Sequence, residues 1–387
     1  MSESRIAPDS SPVEGVADTR FEGLRAEFQR QFDSAAELGA SIAVVERGVP
    51  VVDLWGGFAD ETRNVPWRSD TITNVWSITK TVTALAALML VDRGQLDLDA
   101  RVADYWPEFA QNGKAAVTIK QVMSHTSGVS GWDLPFEVTD LYDTEGAAAR
   151  LAAQAPWWEP GTASGYHLVS YGHLVGELVR RISGKSLTQF VRDEIAVPLG
   201  ADFTIGVPRA EYGRVSNVVA PPPVRIDFSQ VPAGHPALRT LGTEPLDATL
   251  PSTDGWRQAE IGAANGFGNA RSVARIQSVL TNGGEVDGVR LLHPETIDRI
   301  FEVQASGVDL VLFQPVTFGI GYGLPTPGQP GLPQGRIAYW GGWGGSIVLN
   351  DVDRGITFAY VMNRMADGVV GSLRSEAYVR EFFEALA

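Results

Sequence analysis

Residues 74–92 read Asn-Val-Trp-Ser-Ile-Thr-Lys-Thr-Val-Thr-Ala-Leu-Ala-Ala-Leu-Met-Leu-Val-Asp, an apolar run with a serine and a lysine near its start. Most positions hold valine, leucine, alanine or methionine, so the pattern predicts a buried helix from about Ser77 to Arg93, ending at Gly94. Ser77 and Lys80 are three residues apart and would share one face of the first helical turn. A lysine inside so apolar a helix requires a chemical reason.

Lysine is rare in this chain, which has 31 basic residues and only four lysines: Lys80, Lys114, Lys120 and Lys185. Arginine stays charged, whereas burial can lower the pKa of a lysine enough for the amine to act as a base. Ser77 and Lys80 therefore suit a nucleophile beside its base, at a helix N-terminus that favours negative charge. The tetrapeptide alone is weak evidence, because chance would produce it in roughly one such chain in four.

The composition narrows the classes of partner. The chain has 387 residues, 44% of them hydrophobic and 20% charged, which suits one large or two interlocked globular domains. A net charge of −15 argues against nucleic acid and anionic membranes as partners. The chain has no apolar run of about 18 residues. Its first residues do not resemble a signal peptide, so a cytoplasmic location is expected.

Nothing in the sequence predicts a cofactor or a metal. There are no cysteines, and the five histidines do not follow a recognised ligand spacing. A small-molecule substrate is the expected partner, and the oligomeric state is left open.

β-rich segments lie near both ends of the chain, and helical patterns lie between them. Residues 41–46 and 51–55 read as a hairpin, and residues 337–340, 346–350 and 356–362 read as three further strands. The predicted fold is therefore α/β, of the α+β type. A central antiparallel sheet is built from both termini and flanked by helices, and a mainly helical domain is inserted between the strands.

The predicted domain division follows this pattern. Residues 1–18 form an N-terminal tail, residues 19–95 with 255–387 form the sheet domain, and residues 96–254 form the inserted helical domain. Residues 205–254 of the insert are rich in proline and glycine, as in a long ordered loop or lid. A helix is also predicted from Tyr166 to Ile182.

Four segments, in this order along the chain, resemble the motifs of the serine β-lactamase and penicillin-binding-protein superfamily. Within it they are most similar to the family VIII carboxylesterases, which look like class C β-lactamases. The segments are Ser77-Ile78-Thr79-Lys80, Met123-Ser124-His125-Thr126-Ser127-Gly128, Pro160-Gly161-Thr162 followed by Tyr166, and Trp340-Gly341-Gly342. The similarity runs from about Ala43 to Arg364 and implies a β-lactamase-like fold.

The resemblance also implies a mechanism, in which Ser77 forms an acyl-enzyme while Lys80 and Tyr166 act as general base and acid. Which of the two accepts the serine proton is left open. Tyr171 competes with Tyr166 for the tyrosine role, but only Tyr166 has the motif's offset from Pro160-Gly161. A neighbouring ammonium is expected to lower the tyrosine pKa.

The Trp340-Gly341-Gly342 segment of the resemblance supplies the rest of the site. The backbone N–H groups of Ser77 and Trp343 would form the oxyanion hole. Trp340, Gly341 and Gly342 would contact the substrate.

Two departures from the motifs bear on the substrate. The usual Tyr-x-Asn is Tyr166-His167-Leu168 here, and Trp340 stands where β-lactamases carry a lysine that binds the substrate carboxylate. The sequence therefore favours hydrolysis of short-chain, uncharged carboxylic esters. The alternative is a β-lactamase, D-aminopeptidase, or other amide hydrolase or acyltransferase of the same superfamily.

Two other classes fit less well. A Ser-His-Asp hydrolase would carry Gly-x-Ser-x-Gly, and this pentapeptide does not occur. A relative that only binds a ligand has no need of Ser77, Lys80 and Tyr166 together. His125 and His167 are interpreted as structural, hydrogen-bonded residues rather than as bases.

Overall fold

The large sheet of the protein is antiparallel and is built from both ends of the chain. A computed structural model describes residues 12–221, 230–243, 246–328 and 331–387. The strands are β1 (Glu14–Ala17), β2 (Gly39–Glu46), β3 (Val49–Gly57), β4 (Thr73–Asn74), β5 (Phe203–Ile205), β6 (Gly266–Gly268), β7 (Glu285–Val286), β8 (Val289–Arg290), β9 (Ala305–Val308), β10 (Pro315–Phe318), β11 (Gly323–Leu324), β12 (Ile337–Gly341), β13 (Ile347–Asp351) and β14 (Ile356–Met362).

The order in the nine-stranded sheet is β1-β3-β2-β14-β13-β12-β11-β10-β9. β14 pairs with β2 from Ile356 opposite Glu46 to Met362 opposite Ala40, so the last strand of the chain joins the first hairpin. That hairpin turns at Arg47 and Gly48, both with positive φ, as a tight two-residue hairpin turn requires. The predicted antiparallel sheet from both termini is confirmed.

Helices cover this sheet and are the main regular secondary structure of the inserted segment. They are α1 (Glu22–Asp33), α2 (Thr79–Asp92), α3 (Val102–Tyr105), α4 (Ile119–Met123), α5 (Thr144–Ala153), α6 (Ser170–Ser183), α7 (Leu187–Phe190), α8 (Val197–Leu199), α9 (Pro236–Thr243), α10 (Asp254–Gln258), α11 (Ala270–Thr281), α12 (Pro294–Ile300) and α13 (Leu373–Glu384). A π-helical turn, Val191–Ala196, joins α7 to α8.

Helix α2 is the central helix, and every residue from Thr79 to Leu90 is buried. It packs against α6 of the insert on one side and against α11 and α12 of the sheet region on others. The predicted buried helix is therefore confirmed, although it begins at Thr79, so Ser77 lies in the turn that precedes it. Gly94, with φ of 67°, follows its end as predicted.

A second, three-stranded sheet fixes the entry to α2. Its order is β4-β6-β5. β4 comes immediately before the Ser77 turn, and β5 comes from the inserted segment. The two predicted regions therefore share a sheet next to Ser77, and the domain division itself stays a prediction.

Part of the predicted tail is ordered. Residues 1–11 lie outside the described part of the chain, but Glu14–Ala17 form β1 at the edge of the large sheet, so the tail prediction is wrong for these residues. The Arg25 guanidinium donates to the carbonyls of Val13 and Gly15 and holds this strand against α1. Four residues are too short a run for a periodic pattern to reveal.

The helix predicted from Tyr166 begins four residues later, at Ser170. The residues before it are held by other segments: Gly165 N–H donates to the His125 carbonyl, and Tyr166 N–H donates to Asp309. Their amides are therefore bonded outside any helix. The helix ends at Ser183 before Gly184, where φ is 71°.

The predicted lid region, residues 205–254, holds α9 and short 3₁₀ turns. Its residues 222–229 and 244–245 lie outside the described part of the chain. Its role as a lid stays a prediction. Among the helices that the structure describes, none has the length and hydrophobicity needed to cross a bilayer. The cytoplasmic location stays a prediction.

Candidate active site

Ser77 sits on a sharp turn between β4 and α2. Trp76 has a φ of 51°, in the left-handed region that tryptophan seldom adopts. The Thr79 hydroxyl stabilises this turn, because it donates to the Trp76 carbonyl at 2.5 Å and accepts from Gly266 N–H at 2.8 Å. The turn places the Ser77 side chain at the start of the helix, with 8% of the residue exposed.

Lys80 lies beside this hydroxyl and is 2% exposed. Its Nζ is 3.0 Å from Ser77 Oγ, 2.7 Å from the Leu168 carbonyl and 3.0 Å from the Ala263 carbonyl. Carbonyl oxygens only accept hydrogen bonds, so two N–H groups of the lysine point to Leu168 and Ala263. These two bonds hold the amine beside the Ser77 hydroxyl.

Tyr166 approaches Ser77 from the other side. Ser77 acts on its hydroxyl in the direction that lowers the pKa of the phenol. The Tyr166 hydroxyl accepts a hydrogen bond from Trp340 Nε1 at 3.0 Å. Lys80 Nζ lies 4.8 Å from the centre of the tyrosine ring. The lysine and the tyrosine therefore both lie beside the Ser77 hydroxyl.

The protonation of Tyr166 differs from the sequence-based expectation. Burial raises the pKa of this phenol far above its usual value of 10, and the hydrogen bonds to Ser77 and Trp340 offset only part of that rise. The expectation that a neighbouring ammonium lowers the tyrosine pKa is wrong, because the cost of desolvating the phenolate outweighs the other effects on this pKa. Tyr166 therefore carries its proton in the resting site.

Tyr171, the competing tyrosine, is also buried, but it lies elsewhere. Among the described residues its hydroxyl has no hydrogen-bond partner. Its ring packs against His125 at a centroid distance of 5.1 Å. The structure thus brings Tyr166, and not Tyr171, to Ser77.

His125 and His167 form a neutral pair behind Tyr166. His167 Nδ1 lies 2.6 Å from the Gly165 carbonyl and so carries the hydrogen, which leaves Nε2 to accept from the Ser127 hydroxyl at 2.7 Å. His125 Nδ1 accepts from the His167 amide at 3.2 Å. Burial lowers the pKa of His167 to about 4 and that of His125 well below 6.5. These contacts agree with the structural interpretation of both histidines.

The Trp340-Gly341-Gly342 segment meets the residues before Ser77 through a tight turn after β12. Gly342 N–H donates to the Ser346 carbonyl at 2.7 Å, and the Ser346 hydroxyl donates to the Val75 carbonyl at 3.1 Å. The Trp343 ring packs edge-on against Trp76 at 5.0 Å. The two residues that precede Ser77 are thereby tied to the turn that carries Trp343.

The amides of this turn differ in what they contact. Those of Gly344 and Gly345 donate to the carbonyls of Gly368 and Gly342. In the part of the chain that the structure describes, no such acceptor faces the Trp343 amide. A side chain at Gly342 would place its Cβ 2.5 Å from the Val75 carbonyl oxygen, so glycine is required there.

Trp340 and its neighbours form an apolar wall beside Tyr166. Trp340 is 3% exposed and belongs to a small buried cluster, which comprises Tyr166, Val311, Val316, Phe318 and Trp340. The wall contains no cationic side chain. Across the described ranges, no group of three or more histidine, cysteine, aspartate or glutamate residues is arranged to hold a metal ion.

Two groups of contacts around the site have no motif in the sequence. The Leu168 and Ala263 carbonyls hold Lys80, and backbone acceptors carry no side-chain signal. The buried Asn74 side chain accepts from Trp256 Nε1 and donates to the Ala264 carbonyl, next to Ala263. Only the arrangement of separate segments in space reveals these contacts.

The fold and this site define a member of a known class. The chain belongs to the β-lactamase family, within the serine β-lactamase and penicillin-binding-protein superfamily, because the Beta-lactamase family model matches residues 24–379. The resemblance found in the sequence motifs is confirmed.

Several proteins are similar to the chain over nearly its whole length. The crystal structure of a family VIII carboxylesterase superposes with a TM-score of 0.89 at 37% identity and covers 96% of this chain and 99% of that one. Esterase/beta-lactamase LipL of Mycobacterium tuberculosis is 35% identical over 95% of this chain and 87% of its own length. Esterase EstB of Burkholderia gladioli is 30% identical over 92% of this chain and 96% of its own length. A hydrolase of the esterase and β-lactamase type is therefore established.

Proposed function

We propose that the protein hydrolyses short-chain, uncharged carboxylic esters through an acyl-enzyme on Ser77. The observation that carries the proposal is the 3.0 Å contact between the Ser77 hydroxyl and Lys80 Nζ, with the buried phenol of Tyr166 beside both. A hydroxyl flanked by an amine and a phenol suits proton transfer during acyl transfer.

The hydrogen bonds favour one route for the protons. The Trp340 indole only donates, so the Tyr166 oxygen accepts from it and the phenolic proton can point to Ser77 Oγ. A neutral Lys80 would use both of its N–H groups on carbonyls and turn its lone pair to the Ser77 proton. Lys80 is therefore proposed as the base for acylation, with Tyr166 as the acid.

The steps balance as follows. Ser77 Oγ bonds to the ester carbonyl carbon as its proton passes to Lys80 Nζ. The carbon–oxygen bond to the alcohol then breaks, and the departing oxygen takes a proton from Tyr166, which regains one from Lys80. In the second half-reaction, water attacks the acyl carbon and gives its proton to Tyr166, which passes its own proton to Lys80. The bond between the acyl carbon and Ser77 Oγ then breaks, Ser77 regains its proton from Lys80, and the carboxylic acid is released.

Two backbone amides are proposed to stabilise the oxyanion, those of Ser77 and Trp343. The turn that carries Trp343 is tied to the residues before Ser77 through Ser346 and Val75. Each such donor commonly contributes about 3–4 kcal/mol to the stabilisation of the transition state.

The wall of the site supports an uncharged substrate. Trp340 occupies the place of the carboxylate-binding lysine, and Leu168 replaces the amide side chain of the second motif. The similar proteins that carry the name esterase support ester hydrolysis over amide hydrolysis. One of those names also includes beta-lactamase, so weak β-lactam hydrolysis is the second candidate.

A fluorophosphonate probe followed by peptide mass analysis tests the nucleophile. We expect one adduct, on Ser77, and none in Ser77→Ala. Ser69→Ala, which changes an exposed serine, is the matched control and should label as the wild type does. A folded wild-type enzyme that shows no mass increase at Ser77 would overturn the assignment.

Substrate class is tested by comparing kcat/KM for p-nitrophenyl butyrate, a chromogenic cephalosporin and a D-alanyl-D-alanine peptide. We expect the ester to give the highest value by at least about 100-fold, because neither of the other substrates finds a cation for its carboxylate. A preference for the cephalosporin would favour the second candidate, and a preference for the peptide would favour a peptidase.

A further inference from the structure

A buried carboxylate lies beneath the segment that carries Tyr166. Asp309 is fully buried. Its Oδ1 accepts three backbone hydrogen bonds, from Tyr166 at 3.0 Å, Val311 at 2.8 Å and Leu312 at 3.0 Å. Two of these bonds close the turn that follows Asp309, and the third crosses the fold to Tyr166, the proposed acid.

The same two segments meet at two further points. Leu310 N–H donates to the Ser164 carbonyl at 2.9 Å. The Val311 side chain packs with Tyr166 and Trp340 in the apolar cluster. The segment 309–311 therefore fixes both the main chain and the ring of Tyr166. No helix performs this task, because α6 begins only at Ser170.

We propose that Asp309 is the positioning residue of Tyr166, which it holds in place to protonate the departing alcohol. This inference rests on the proposed function. The contact of Asp309 with Tyr166 is made to the backbone N–H, so Asp309 acts through the Tyr166 main chain.

The negative charge of Asp309 also favours the protonated form of Tyr166, the form that the proposed acid requires. The carboxylate adds to the rise in the pKa of Tyr166, although burial is the larger cause. The other titratable groups that face the tyrosine are Lys80, His125 and Tyr171. Burial lowers the pKa of His125 and raises that of Tyr171, so the first stays neutral and the second stays protonated.

A purely structural role is the simpler reading, because an aspartate often closes a turn of this kind. The second carboxylate oxygen of Asp309, Oδ2, indicates a role beyond closing the turn. This oxygen is buried and has no hydrogen-bond partner among the described residues, which costs stability. The bonds that Oδ1 makes, one of them to Tyr166, offset this cost.

The test compares two esters of one acid that differ in how much their alcohol needs a proton. Nitrophenolate leaves without one, whereas ethoxide requires one. In Asp309→Ala, we expect kcat/KM to fall about 100-fold for ethyl butyrate and less than about tenfold for p-nitrophenyl butyrate. Asp309→Asn keeps an acceptor oxygen for the three amides and should restore most of the loss with ethyl butyrate.

The matched control is Asp351→Ala, which removes another buried carboxylate, one that bonds to Arg354 at the end of β13. In this variant, kcat/KM should change by the same factor for both esters. If Asp309→Ala does not fold, Asp309→Ser, which is too short to reach the Tyr166 amide, carries the same comparison. Equal losses for both esters in the Asp309 variants, with Ser77 still labelled by the fluorophosphonate, would overturn the inference and leave the proposed function standing. Failure of the wild-type enzyme to label would instead overturn the proposed function.

Discussion

The indole N–H of Trp340 lies 3.0 Å from the hydroxyl oxygen of Tyr166, and both side chains are almost wholly buried. The resemblance to the β-lactamases places a lysine at this position, which would bring a positive charge towards the substrate. Here the position supplies one neutral donor, directed at the tyrosine. A residue that contacts the substrate in relatives is therefore also a partner of the proposed acid in this chain.

Trp340→Phe removes this donor and keeps an aromatic wall. We expect kcat/KM for ethyl butyrate to fall about three- to tenfold, because a neutral hydrogen bond contributes about 1 kcal/mol. Steady-state kinetics measure the change. Trp55→Phe is the control, since the Trp55 indole nitrogen has no hydrogen-bond partner among the described residues, and it should leave the rate unchanged. An unchanged rate in Trp340→Phe would show that the Tyr166 proton needs no help from this bond.

Helices and strands in which apolar residues recur at a regular spacing can be predicted from the sequence. The residues of β14 were predicted at their observed bounds, and α2 was predicted from its run of apolar residues. β1 was missed because four residues carry too little pattern, and the start of α6 was misplaced because apolar residues continue back to Tyr166. The bonds that stop the helix there come from Asp309 and His125, which are distant in sequence.

The candidate site divides in the same way. Ser77, Lys80 and Tyr166 were identified because side-chain motifs mark them. The Leu168 and Ala263 carbonyls that hold Lys80 were not, since any residue type can supply a carbonyl. The direction of the Tyr166 pKa shift was also predicted wrongly, because it depends on how completely the fold removes water from around the phenol.

Lys80→Met should lower kcat/KM for p-nitrophenyl butyrate by about 100- to 10,000-fold, because general base catalysis commonly contributes that much. Methionine keeps the length and apolar stem of the side chain, so burial is preserved. The control is Lys185→Met, because the Lys185 ammonium pairs with Glu194 at the protein surface. The activity of this variant should match that of the wild type. Activity of Lys80→Met within tenfold of the wild type would assign the base to Tyr166 instead.

Gly342→Ala should reduce kcat by about 100- to 1,000-fold while the protein remains folded. The new Cβ would lie 2.5 Å from the Val75 carbonyl oxygen and close to Ser346, so the turn that carries the Trp343 amide must shift. Loss of one oxyanion donor has an effect of this size. Gly213→Ala, at a glycine with open space around it, is the control for a glycine-to-alanine change. A full rate in Gly342→Ala would contradict the assignment of the Trp343 amide.

The buried histidines predict how stability depends on pH. Burial lowers the pKa of His167 from 6.5 in the unfolded chain to about 4 in the folded protein. Folding then favours the neutral ring, so this contribution to stability is complete above pH 6.5 and is lost as the pH falls towards 4. The loss for this one group amounts to about 3 kcal/mol.

Urea unfolding at a series of pH values measures this loss. We expect the free energy of unfolding of the wild type to fall between pH 6.5 and pH 4, with His125 adding to the slope because burial lowers its pKa as well. His167→Asn keeps a polar group beside Ser127 but removes one titrating ring. Its slope should therefore be shallower by up to about 1.4 kcal/mol per pH unit, even though its stability at pH 7.5 is lower. Identical slopes in the two proteins would mean that His167 does not stay neutral in the folded state.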